Sequence, residues 1–143
     1  MLLMNRNRMG GIALALGLCS GSSVADVVAV VSANSPVTTL SKNQVADIFL
    51  GRASRFANGD PAVPIDQAEG SAVRDEFYAK VAGKAAPQVK AHWSKIIFTG
   101  RGRPPEEAPD SAQVKKVVVK NPNAIGYIEK SMVDASVKVV FSE

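Results

Sequence analysis

The chain has 143 residues, with 17 Lys and Arg against 13 Asp and Glu for a formal charge of +4, and it holds one histidine and one cysteine. So mild a positive charge argues against a nucleic-acid partner. One histidine and one cysteine offer no cluster of metal ligands at fixed spacing, so no metal and no cofactor are expected.

Residues 1–25 read as a secretory leader. Arg6 and Arg8 precede an apolar run, Ile12-Ala-Leu-Ala-Leu-Gly-Leu18, and small residues lead up to Ser23-Val-Ala25. The run is shorter than the ~20 residues a membrane span needs. Cleavage after Ala25 and export of 26–143 to the periplasm, as one domain, are therefore expected. Leu16-Gly-Leu-Cys19 is similar to a lipoprotein signal, but that signal wants a small residue before the cysteine and Leu18 is large. Removal of Cys19 with the leader leaves a domain held by its core alone.

Asp26-Val-Val-Ala-Val-Val-Ser32 is a continuous β-branched run, the pattern of a strand buried on both faces. Ser41-Lys-Asn-Gln44 is a capping box, and Val45, Ile48 and Phe49 continue it as an apolar helical stripe ending at Gly51. Ala62-Val-Pro-Ile65 reads as a second strand. A helix over about Ser71–Val81 carries Val73, Phe77 and Val81 at spacing i, i+4, i+8, and Gly83 closes it. Pro87 suits the first turn of a further helix through Val89, Trp93, Ile96 and Ile97. Arg101–Pro109, with three prolines, reads as a loop without regular structure. Asp110 or Ser111 caps a fourth helix bearing Val114, Val117 and Val118. Ile125–Glu129 and Val137–Phe141 read as the last strands. Strands separated by helices indicate an α/β sandwich around a mostly parallel or mixed sheet.

Catalytic chemistry finds little material. His92 has no nucleophile indicated beside it. Asp75-Glu76 and Glu106-Glu107 are sequence neighbours, which on a helix point apart rather than forming a carboxylate pair. Gly100-Arg-Gly-Arg-Pro-Pro105 has close glycines, but no helix can follow its prolines to make a phosphate loop. No catalytic residue is assigned and no enzyme is expected. The stretch that invites a ligand is Asp66-Gln-Ala-Glu-Gly-Ser-Ala-Val-Arg-Asp-Glu-Phe77. If Ser71 caps the helix, the N–H groups of Ala72 to Arg74 point outward at the positive end of the helix dipole, beyond the end of a strand. Water satisfies the same groups at any well-capped helix, so from the residues alone the stretch is either an anion site or a well-made turn.

Three segments carry a resemblance: Leu40-Ser-Lys-Asn-Gln-Val-Ala-Asp-Ile-Phe-Leu-Gly-Arg52, the Glu69-Gly-Ser71 turn, and Asn121-Pro-Asn-Ala-Ile-Gly-Tyr-Ile-Glu129. Together the chain resembles the phosphate-type periplasmic substrate-binding proteins of ABC transporters, over roughly Val28 to Phe141. The resemblance implies one lobe of a type II periplasmic-binding-protein fold, a mixed sheet flanked by helices. The family turn reads Arg-Ser-Asp-Gly-Ser-Gly-Thr, and its arginine, serine and threonine help hold phosphate. Gly70 and Ser71 match its centre. The arginine position falls on Gln67, the second glycine on Ala72 and the threonine on Val73, while Arg74 follows. The implied ligand set is thus Gln67, Gly70, Ser71, Ala72, Val73 and Arg74. Glu69 adds a negative charge close to where a phosphate would sit, and at ~5 Å this costs roughly 3 kcal/mol at an effective dielectric of ~20.

Two functions follow as expectations. The first is an exported solute-binding protein for an ABC transporter, taking phosphate or another small oxyanion, with a partner or a homodimer supplying the second wall. The second is a non-transport interaction or sensing module. On that reading the anion site has decayed, and Trp93, Arg101 and Arg103 around the rigid basic loop dock a protein; the bland alternative there is that Trp93, Ile96, Ile97 and Phe98 are core.

Overall fold

A computed structural model describes residues 26–143; the expected leader and Cys19 lie outside the described residues. The elements in chain order are β1 (Val27–Ser32), α1 (Lys42–Phe49), β2 (Val63–Gln67), α2 (Ala72–Ala82), α3 (Ala86–Phe98), β3 (Glu106–Ala108), α4 (Ser111–Lys120), β4 (Ala124–Glu129) and β5 (Val137–Phe141), with one 3-10 turn at Lys130–Met132. The strands form one sheet in the order β3-β2-β4-β1-β5. β2 runs parallel to β3 and β4, whereas β1 is antiparallel to both β4 and β5. The sheet is therefore mixed and the fold is α/β. Among the described residues no helix is long and apolar enough to cross a membrane.

The unbroken apolar run of β1 has a direct cause. Its alternate residues face two different cores. Val27, Ala29 and Val31 join Phe49, Phe77, Tyr78 and Tyr127 on one side, with α1, α2 and α3. Val28 and Val30 join Ile65, Val114, Val118 and Ile128 on the other, under α4. Both faces of this interior strand are covered, so a polar residue within its valine run would be buried at a cost.

Ser41 makes the reciprocal capping box with Gln44. Asp110, not Ser111, caps α4 by accepting from the Gln113 N–H. Three expectations need correction. Arg101–Pro109 is not all loop, because Glu106–Ala108 form β3, paired parallel with Ile65–Gln67. The prolines flank these three residues rather than interrupting them, and an edge strand needs N–H groups on one side only. β2 also runs two residues past Ile65, which draws Asp66 and Gln67 into the sheet. Ile97 and Phe98 are not core: Phe98 is 92% exposed at the end of α3, and Ile97 is exposed beside it.

Candidate anion-binding site

β2 ends at Gln67, and a turn over 68–71 hands the chain to α2. Gly70 adopts φ +95 in this turn, a backbone state that side-chain-bearing residues rarely enter. Ser71 follows as the N-cap, its Oγ accepting from the Arg74 N–H at 3.3 Å. The next N–H groups, those of Ala72 and Val73, have no acceptor among the described residues. They open where the parallel strands β2 and β4 finish, the place where α/β sheets commonly hold ligands. α2 is fixed there by aromatic packing. Phe77 stacks on Tyr127 at 3.9 Å between centroids, and Phe49 meets both rings edge-on.

Beneath the turn lies a polar network that sequence reasoning missed. Asp66 is 1% exposed, and its carboxylate accepts from the hydroxyls of Tyr127 and Tyr78, the latter at 2.6 Å. Arg74 Nη1 stands 3.6 Å from Asp66 Oδ2. Burial raises the Asp66 pKa above the ordinary carboxylate range, against the lowering effect of both tyrosines, Arg74 and the Gln67 N–H. Burial, with the Asp66 charge, likewise pushes both tyrosine hydroxyls well above their usual values. They therefore stay protonated as donors. The signal for this network was a charged residue ending an apolar strand: a buried carboxylate must find donors.

The expected ligand residues divide into four kinds. Gln67 does not line the turn. It is 1% exposed, its Nε2 donates to Ser111 Oγ and to the Tyr127 carbonyl at 3.0 Å each, and its Oε1 accepts from Ser71 Oγ. It holds the turn from below. Ser71 is engaged on both sides, since its hydroxyl donates to Gln67 while accepting from Arg74. Gly70 and Ala72 are exposed, and Val73 is partly so. Arg74 reaches back along its helix to donate through Nη1 to the Gln67 carbonyl and to Glu107 Oε1, both at 2.8 Å. Its other guanidinium N–H groups have no acceptor among the described residues. Arg74, Glu107, Glu69 and Lys90 share a cleft of about 360 Å³, in which Lys90 pairs with Glu69 at 3.5 Å.

Of the residues expected at a docking surface, Trp93 also lines this cleft, whereas Arg101 and Arg103 line a separate one. Trp93 is 7% exposed and seated on Gly51, where an added Cβ would stand 2.6 Å from the indole. Its indole N–H has no partner among the described residues. Arg101 and Arg103 are exposed, on the rim of a cleft of about 530 Å³ that Trp93 and Ile96 floor. His92 bonds through Nε2 to the Leu50 carbonyl at 2.8 Å, a structural contact. Among the described residues no group of histidine, cysteine and acidic side chains could hold a metal ion.

A capped helix start lies at the carboxyl ends of parallel strands in an α/β fold. Solved structures share the fold. The chain is similar to a protein described as a phosphate ABC transporter substrate-binding protein from Clostridium perfringens, solved with bound phosphate, at 29% identity and TM-score 0.65 over 81% of this chain and 44% of that one. It is also similar to an ABC-type phosphate transport receptor from Vibrio cholerae, at 20% identity and TM-score 0.62 over 81% and 45%. A third likeness is to PstS from Borrelia burgdorferi, at 13% identity and TM-score 0.58 over 81% and 46%. The chain thus spans less than half the length of the structures it matches. No family model matches the sequence, and no curated protein does.

Proposed function

We propose that this chain is an exported solute-binding lobe of the phosphate-type ABC transport class, holding a small oxyanion at the start of α2. The observation that carries the reading is the pair of free N–H groups at Ala72 and Val73, set by the Gly70-Ser71 turn, in a fold shared with a phosphate-bound structure. The helix dipole and backbone donors attract the anion without a side-chain cation. Arg74 adds a guanidinium at the flank, Ser71 and Gln67 keep the turn in shape, and Val73 supplies apolar wall. The lobe binds and does not catalyse. It offers one wall, so a partner protein or a second copy closes the other side.

The test is a titration of the purified protein with sodium phosphate and sodium sulfate, following thermal unfolding, against chloride at matched ionic strength. An oxyanion at about 100 times its dissociation constant adds roughly 2.7 kcal/mol, a clear shift in midpoint. Ser71→Asp keeps an acceptor for the N-cap while placing a negative charge in the site; it loses the donation to Gln67 Oε1, so its unliganded midpoint falls, and it abolishes the shift on adding oxyanion. An equal shift in Ser71→Asp would place binding elsewhere.

A second reading has its own observation. Phe98 stands out in solvent with Ile97 beside it and the exposed Arg101 and Arg103 just beyond, a combination favoured in protein interfaces. On this reading a periplasmic partner is recovered by the wild-type protein and lost with Arg101→Ala and Arg103→Ala together. No partner from the wild type counts against it.

A further inference from the structure

One acidic side chain on a neighbouring strand pairs with Arg74, the cation at the flank of the candidate site. Glu107 lies on the edge strand β3, in register with Asp66, and its carboxylate accepts from Arg74 Nη1. The other anion on that guanidinium is Asp66, buried and tied to two tyrosine hydroxyls. One cation therefore stands between two carboxylates, one sealed in the core and one half exposed on the outer side. Asp66 alone balances the charge of Arg74. Glu107 leaves this group of three with a net negative charge, in the same cleft as Glu69 and Lys90.

We propose that Glu107 is a specificity-determining residue, an internal carboxylate that holds the guanidinium where a solute oxyanion would, and that must swing away for one to bind. The inference rests on the oxyanion reading of the site. Carboxylate and phosphate-type anions compete for the same planar fork of donors. Only the Glu107 side of the pair is half exposed, so its carboxylate can leave into solvent while Asp66 stays beside the guanidinium. The displaced carboxylate nevertheless remains close, and its repulsion scales with the charge of the ligand. Glu107 thus weakens dianions more than monoanions.

The experiment compares wild type, Glu107→Gln and Glu106→Gln by thermal titration with sodium phosphate, sulfate and nitrate at constant ionic strength. Glu107→Gln keeps the size of the side chain and one acceptor for Arg74 while losing the charge. Glu106 is the matched control: alternation along the strand turns it the other way, towards the cleft under Trp93. Sulfate affinity rises at least about tenfold in Glu107→Gln, equivalent to ~1.4 kcal/mol, and nitrate affinity rises less. Glu106→Gln changes either by less than about twofold at physiological ionic strength. Adding Ser71→Asp to Glu107→Gln removes the gain. Equal tightening in both single variants would reduce the effect to net charge and overturn the proposal. Oxyanion binding by wild type with no gain in Glu107→Gln overturns it too, while leaving the site intact. Binding by neither protein would remove the site and the proposal together.

Discussion

Asp66 shows what a single buried charge does to the chemistry around it. Its carboxylate fixes the two tyrosine hydroxyls and Arg74, and its Oδ1 accepts from the Gln67 N–H at 2.9 Å. Each partner leads to the turn that carries Ser71. Removing one donor leaves a buried acceptor short, so Tyr127→Phe lowers stability by about 1–3 kcal/mol in urea unfolding. A loss under about 0.5 kcal/mol would mean that the hydroxyl is dispensable. The pH response follows from the raised pKa of Asp66. In the folded state the group takes up a proton more readily than in the unfolded chain, where the value is about 3.9. Its contribution to stability is therefore full below about pH 3.9 and is lost as pH rises through the folded value. The stability of wild type relative to Asp66→Asn accordingly falls as pH rises from about 3.9, then levels off. A difference that grows with pH would mean that the tyrosines and Arg74 outweigh burial.

The elements divide by how far apart their causes lie in the chain. β1, α1, α2, α4, β4 and β5 were legible, because capping boxes, apolar periodicity and β-branched runs are local. So were Gly70 and Ser71, since a positive-φ glycine and an N-cap act within a few residues. β3 was not, because three residues between prolines become a strand only when β2 is beside them. Nor was the Asp66–Tyr127 contact, which joins positions 61 apart in sequence. Ile97 misled for the opposite reason: the helical stripe through Val89 and Trp93 was real, but α3 turns its last residues, Ile97 and Phe98, out into solvent. Gly126 illustrates a packing cause that local reading also misses. Its φ is ordinary, yet an added Cβ would collide with Val114 Cγ1 and press on Val118 Cγ2 at 3.1 Å, so α4 sits directly on β4 at this point. Gly126→Ala is expected to cost about 1–3 kcal/mol by overpacking. Adding Val114→Ala makes room, and the double variant loses less than the sum of the singles. Simple additivity would show that α4 does not rest on this glycine.

At the scale of the whole molecule, the proposed site has one wall and mixed charge among the described residues. Its attractive parts are two backbone N–H groups, a helix dipole worth about 0.3–1 kcal/mol at an exposed end, and an Arg74 already shared with Asp66 and Glu107. Glu69 stands nearby, partly offset by Lys90. The matched part of the phosphate-bound neighbour is less than half of that protein. Without a second wall, an anion keeps most of its hydration shell and gains little from the donors on one side. Phosphate binding by the lone chain is therefore expected to be no tighter than about 1 mM, or ~4.1 kcal/mol. Calorimetric titration paired with sedimentation velocity at the same protein concentrations measures this. Binding well below a millimolar by a strict monomer would overturn the one-wall account and place stronger donors at the site. Binding of that strength with a doubling of mass as phosphate is added would assign the second wall to another copy of the chain. Weak binding by the monomer that tightens only with a separate partner protein would assign it to that partner.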